Sequence, residues 1–90
     1  MLQNNTDLES QIRGFIGQHM LFGDETIEYD NDSSLLEAGI VDSIGVMELV
    51  AYVGKTYGID VPAEDIVPEN FDSISSLAAY VRLRRGSQSP

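Results

Sequence analysis

The sequence contains no cysteine and no tryptophan, and has one histidine, three prolines and only five Lys or Arg in ninety residues. Without cysteine there is no disulfide framework, no thiolate metal site and no thiol nucleophile. A single histidine, His19, leaves little conventional acid–base chemistry. Five bases against fifteen acids give a net charge of −10, which repels nucleic acid and anionic membranes as principal partners. No apolar run approaches the length of a membrane span, and the polar start, Met1 to Asp7, does not read as a signal peptide. The expectation is a cytoplasmic, monomeric protein with no membrane insertion. At 42% hydrophobic, the chain is apolar enough to fold, and its length suits one small domain.

The acids are unevenly placed. Seven of them crowd between residues 24 and 42, and no Lys or Arg occurs between Arg13 and Lys55. Arg82, Arg84 and Arg85 gather near the C-terminus, where they suit a helix dipole. Helical spacing marks three longer helices. The first opens on a capping box, Thr6-Asp7-Leu8-Glu9, and carries Leu8, Ile12, Phe15, Ile16 and His19. The second starts at Asp42-Ser43, either of which can cap it, carries Val46, Leu49, Val50, Val53 and Tyr57, and stops at Gly58. The third follows Asp72-Ser73 with Ile74, Leu77, Ala78 and Val81. A short helical turn is expected over Pro62–Ile66, stopped by Pro68.

Residues 21 to 41 form a long connection, which in a compact domain signals a packed, functional loop. Leu21, Phe22, Ile27, Tyr29, Leu35, Leu36 and Ile40 are its candidate anchors to the core. No period-2 strand is evident. The expected fold is all-α: a small four-helix bundle of three longer helices and one short one, with that loop between the first and second. Residues 6–84 are the single domain, and 1–5 and 86–90 are tails.

The most informative stretch delivers Ser43 to a helix start beside Asp42, with an apolar helix behind it. A serine there is most simply a helix cap. The wider pattern says more. Asp42-Ser43-Ile44 followed by Val46-Met47-Glu48-Leu49-Val50 resembles the Asp-Ser-Leu…Glu-Leu pattern of the acyl and peptidyl carrier proteins. The resemblance extends through Ser34-Leu35-Leu36-Glu37-Ala38-Gly39, through Tyr57-Gly58-Ile59-Asp60-Val61-Pro62, and through Phe71-Asp72-Ser73-Ile74-Ser75-Ser76-Leu77.

That resemblance implies that Ser43 bears 4′-phosphopantetheine, installed from coenzyme A by a phosphopantetheinyl transferase that uses Asp42 in recognition. The arm's thiol then holds an acyl or aminoacyl group as a thioester, so the missing cysteine is supplied by the cofactor. The chain is in this reading a substrate of several enzymes and not itself an enzyme. The second helix is the implied recognition surface, with Ile44, Met47, Glu48 and Ala51 facing partners such as an adenylating acyl or aminoacyl ligase or another acyl-transfer enzyme. The entry Gly-Ile-Val-Asp-Ser-Ile departs from the Gly-Ala-Asp-Ser-Leu usual in fatty acid biosynthesis. It points instead to a specialised carrier, as in secondary metabolite biosynthesis.

Three other readings fit less well. Val41-Asp42-Ser43-Ile44-Gly45 misses the first glycine of a hydrolase nucleophile elbow. Asp30-Asn31-Asp32 lacks the glycine and distal acid of a calcium loop. An unmodified acidic helical docking module would explain the charge, but not the Asp-Ser pair at a helix start.

Overall fold

Leu8, Ile12 and Ile16 recur at helical spacing along the first helix and are buried together, as one apolar stripe of a helix must be in water. The computed structural model describes residues 6–24 and 26–88, with side chains over 8–24 and 26–85. Within these, α1 is Thr6–His19, α2 Ser43–Tyr57, α3 Pro68–Phe71 and α4 Ile74–Gln88. All regular elements among the described residues are helical, so the chain is a four-helix, all-α protein. The Thr6 side chain, and with it the expected capping box, lies outside the described residues.

The helix ends follow their local chemistry. Asp42 is extended (φ −116°, ψ −169°) and its carboxylate accepts the Gly45 N–H at 2.8 Å, so Asp42 caps α2 and Ser43 is its first residue. Gly58 ends α2 in the left-handed region at φ 67°, which glycine enters without a Cβ clash. Ser73 caps α4 by accepting the Ser76 N–H at 3.0 Å.

Two details differ from expectation. The turn expected over Pro62–Ile66 is a 3-10 turn, Ala63–Asp65. Pro68 does not merely stop it: Pro68 opens α3 as its first residue, where a missing N–H costs nothing. At the far end, α4 runs to Gln88, so residues 86–88 are helical and not part of a tail.

α4 packs against α1, α2 and α3. Their shared core is mainly aliphatic: Ile12, Ile16, Leu49, Val53, Phe71, Ile74, Leu77 and Val81 are fully buried, and Tyr80 is buried beside Phe71. Leu35, Ile40 and Val41 extend that core into the long loop.

Candidate functional site

The loop ahead of Ser43 is held by hydrogen bonds as well as by part of its apolar residues. Asp72, just before α4, accepts the Leu36 N–H at 2.9 Å and the Ser34 hydroxyl through its carboxylate, and the Leu35 N–H at 2.7 Å through its carbonyl. The turn then closes on itself, with Ala38 N–H to Ser34 O at 3.0 Å and Ile40 N–H to Leu35 O at 3.0 Å. Farther back, the Arg13 guanidinium bonds Asn31 Oδ1 at 2.7 Å and lies 4.4 Å over the Tyr29 ring. Of the expected anchors, Leu35 and Ile40 are buried and Leu21 and Tyr29 half-buried, whereas Phe22, Ile27 and Leu36 face solvent. Hydrogen bonds to Asp72 anchor residues 34–36, Leu36 among them, through the backbone and the Ser34 hydroxyl.

Val41 enters the core directly before α2, and Gly45 makes room for it: a Cβ on Gly45 would stand 3.0 Å from the Val41 Cβ. This close approach turns the chain so that Ser43 projects outward. Its side chain is exposed, and no hydrogen bond ties its hydroxyl to another described residue. Because Asp42 already satisfies the Gly45 N–H, the Ser43 hydroxyl is free of capping duty.

Ser43 opens onto a groove of about 750 Å³. It is lined by His19, Met20 and Phe22 from the end of α1 and the loop after it, by Ile40 and Val41, and by Ile44 and Glu48 of α2. Phe22 is 84% exposed and has φ 53°, a backbone region in which a bulky residue is strained. Phe22, Leu36 and Met20 are site residues that the sequence pattern did not identify, since loop hydrophobics carry no period to orient them.

The expected partner residues lie on the exposed side of α2. Ile44 is 70% exposed and Met47 52%, with Glu48 and Ala51 also in solvent. Ile44 and Glu48 border the groove beside Ser43, while Glu48 and Ala51 border a second one. Of the expected core stripe, Leu49 and Val53 are buried, but Val46 and Val50 are only half-buried, and Gly45 takes the innermost place in the first turn.

An aromatic stack joins α1 to α2. Phe15 lies between His19 at 4.4 Å and Tyr52 at 4.2 Å, and Tyr52 meets Tyr57 edge-on at 5.9 Å. The Tyr57 hydroxyl donates to Gln11 Oε1 at 2.6 Å. Burial, reinforced by its contact with the Tyr52 hydroxyl, pushes Tyr57 well above the ordinary phenol range, so it stays a neutral donor. Among the described residues no group of three or more His, Asp or Glu is placed to hold a metal ion. Among the described residues no helix is long and apolar enough to cross a membrane.

This arrangement presents an exposed hydroxyl at the start of α2, with Asp42 beside it and His19 and Glu48 in the same groove. A family model described as "Phosphopantetheine attachment site" matches residues 21–81. The "Probable acyl carrier protein PigG" of a Serratia species is 29% identical over 83% of this chain and 85% of its own. The D-alanyl carrier protein of Abiotrophia defectiva is 26% identical over 86% of this chain and 95% of its own. Among solved structures, a chain from "Crystal structure of FAD-dependent dehydrogenase" is 34% identical with a TM-score of 0.65, covering 78% of this chain and 97% of that one.

Proposed function

The chain belongs to the phosphopantetheine-attachment family of carrier proteins, and on that premise we propose that Ser43 is the residue that bears the arm. The single observation that carries this assignment is the Ser43 hydroxyl: exposed at the start of α2, relieved of capping by Asp42, and opening onto a groove. The residues present therefore fit the group. When bound, 4′-phosphopantetheine supplies a terminal thiol that holds acyl or aminoacyl intermediates as thioesters.

The chain's own residues position and present. Asp42 fixes the first turn of α2 and puts a carboxylate beside the acceptor hydroxyl, where a transferase with a basic surface and a bound divalent cation would read it. Ile44 and Met47 offer apolar contacts to partners, and Glu48 a charged one. The protein catalyses nothing itself in this reading. It works as a cytoplasmic monomer that a phosphopantetheinyl transferase modifies and an adenylating acyl or aminoacyl ligase loads.

The relatives named as PigG and D-alanyl carriers favour a specialised pathway over bulk fatty acid synthesis. The likeness to a chain of similar size in a structure described by a flavin enzyme extends the proposed partners to a flavin-dependent dehydrogenase. Such an enzyme would oxidise the group while it is tethered.

The test is intact mass after incubation with coenzyme A, Mg²⁺ and a broad-specificity transferase. The wild type should gain one phosphopantetheinyl group, and Ser43→Ala should gain none while keeping its helical circular dichroism. A modified Ser43→Ala would move the arm to another serine. An unmodified wild type would favour an acidic docking module.

A further inference from the structure

The groove beside Ser43 does not end there. It shares His19 and Glu48 with a second groove of about 400 Å³, lined by Phe15, Ala51, Tyr52 and Lys55. Ile44, Glu48, Ala51 and Lys55 recur at helical spacing of three and four, so they form one stripe along α2. Opposite that stripe stand Phe15 and His19 of α1, then Met20 and Phe22 of the loop. The two grooves are thus successive parts of one trough between α1 and α2, starting at the attachment serine.

From this continuity we infer that the trough is the resting seat of the Ser43-linked arm, with the group it carries lying at the edge of the Phe15–Tyr52 stack. The inference rests on the assignment of Ser43 as the attachment site. Length supports it. From Ser43 to Lys55 α2 rises about 18 Å, and from Ser43 to Tyr52 about 14 Å. The arm has about thirteen bonds between phosphorus and sulfur, and at the reach of an extended chain these span about 15 Å. Its thiol therefore comes to the second groove.

Chemistry supports it as well. The second groove is bordered by aromatic rings and the Ala51 methyl, with Glu48 and Lys55 also in its lining. Flat or small apolar acyl groups suit such a surface through ring contacts. A long alkyl chain does not, because the bundle behind α2 is filled by fully buried Leu49 and Val53. Of the partner-facing residues, Ile44, Glu48 and Ala51 line the trough and Met47 borders neither groove, so a partner that docks there competes with the resting arm.

Nuclear magnetic resonance on the complete chain tests this. ¹⁵N-labelled protein is compared unmodified, carrying the bare arm, and carrying a benzoyl-loaded arm transferred from benzoyl-coenzyme A. Amide shifts should change at His19, Ala51, Tyr52 and Lys55, with nuclear Overhauser contacts from the arm to the Phe15 or Tyr52 ring. Ala51→Trp, a change at an exposed position, should fill the trough, abolish those contacts and raise the alkylation rate of the bare arm's thiol several-fold. Shifts confined to residues 42–47, or equal thiol reactivity in Ala51→Trp and wild type, would overturn the seat while leaving the carrier role standing. Absence of any mass gain on transferase treatment would instead remove the assignment of Ser43, and the seat with it.

Discussion

α2 and α4 are both fifteen residues long, but they place their apolar residues in opposite ways. Nine of the fifteen in α2 are hydrophobic, against seven in α4. Even so, α4 buries Ile74, Leu77, Ala78, Tyr80 and Val81, and α2 buries only Gly45, Leu49 and Val53. The more apolar helix is the less buried one. α4 touches all three other helices, so its side chains meet protein on most sides, and Leu83 is its one large exposed hydrophobic. α2 meets the core along a narrow stripe and holds Ile44 and Met47 in water. Apolar side chains kept in solvent contribute nothing to the core, so their value lies in what binds there.

The largest expected effect tests whether α2 has two faces at all. Leu49→Ala in α2 and Leu77→Ala in α4 should each cost about 2–5 kcal/mol, since both side chains are fully buried. Met47→Ala should stay within about 0.5 kcal/mol and still slow loading of the pantetheinylated protein by the proposed ligase. Urea unfolding alongside a single-turnover loading assay measures both. Equal destabilisation by Met47→Ala and Leu49→Ala would erase the contrast between the helices.

A smaller effect concerns how α4 steadies the approach to α2. Asp72 bonds the Ser34 hydroxyl and the Leu36 N–H, so Asp72→Ala removes both partly solvent-exposed bonds and should cost about 0.5–1.5 kcal/mol. Amide exchange at Leu36 and Ile40 should quicken more than at Leu77. Uniform quickening would mean that Asp72 serves the whole fold and not the loop.

The smallest effect lies at the rim of α4, where Arg82 bonds Glu9 of α1 at 2.8 Å. That hydrogen bond, only partly opposed by burial, holds the Glu9 carboxyl below its ordinary 4.5. A lowered carboxylate pKa contributes stability above the ordinary value and loses it as pH falls through the folded one. Both side chains are partly in solvent, so Glu9→Gln should cost about 0.2–1 kcal/mol at pH near 7 and nothing well below 4. Urea midpoints at the two pH values measure it, and a pH-independent cost would point to lost packing instead.

Much of this was legible in residue order, because helix signals are local. Asp42, Gly58 and Ser73 mark helix ends through their own backbone chemistry, and the spacing of Leu8, Ile12 and Ile16 marks a buried face wherever the helix docks. The Asp42-Ser43 pair by itself reads as a helix cap, and Ser43 becomes the candidate attachment residue only through the wider resemblance to the carrier-protein pattern. What tertiary structure alone decided are pairings between distant segments. Which of Asp42 and Ser43 caps α2 depends on Val41 diving into the core beside Gly45. Asp72 reaches back to residues 34–36, and Phe15 meets Tyr52 across two helices. Nor does any local rule tell Leu35, which turns inward, from Phe22, which faces out over the groove. Without a period to orient them, loop residues take their direction from contacts that exist only once the chain has folded.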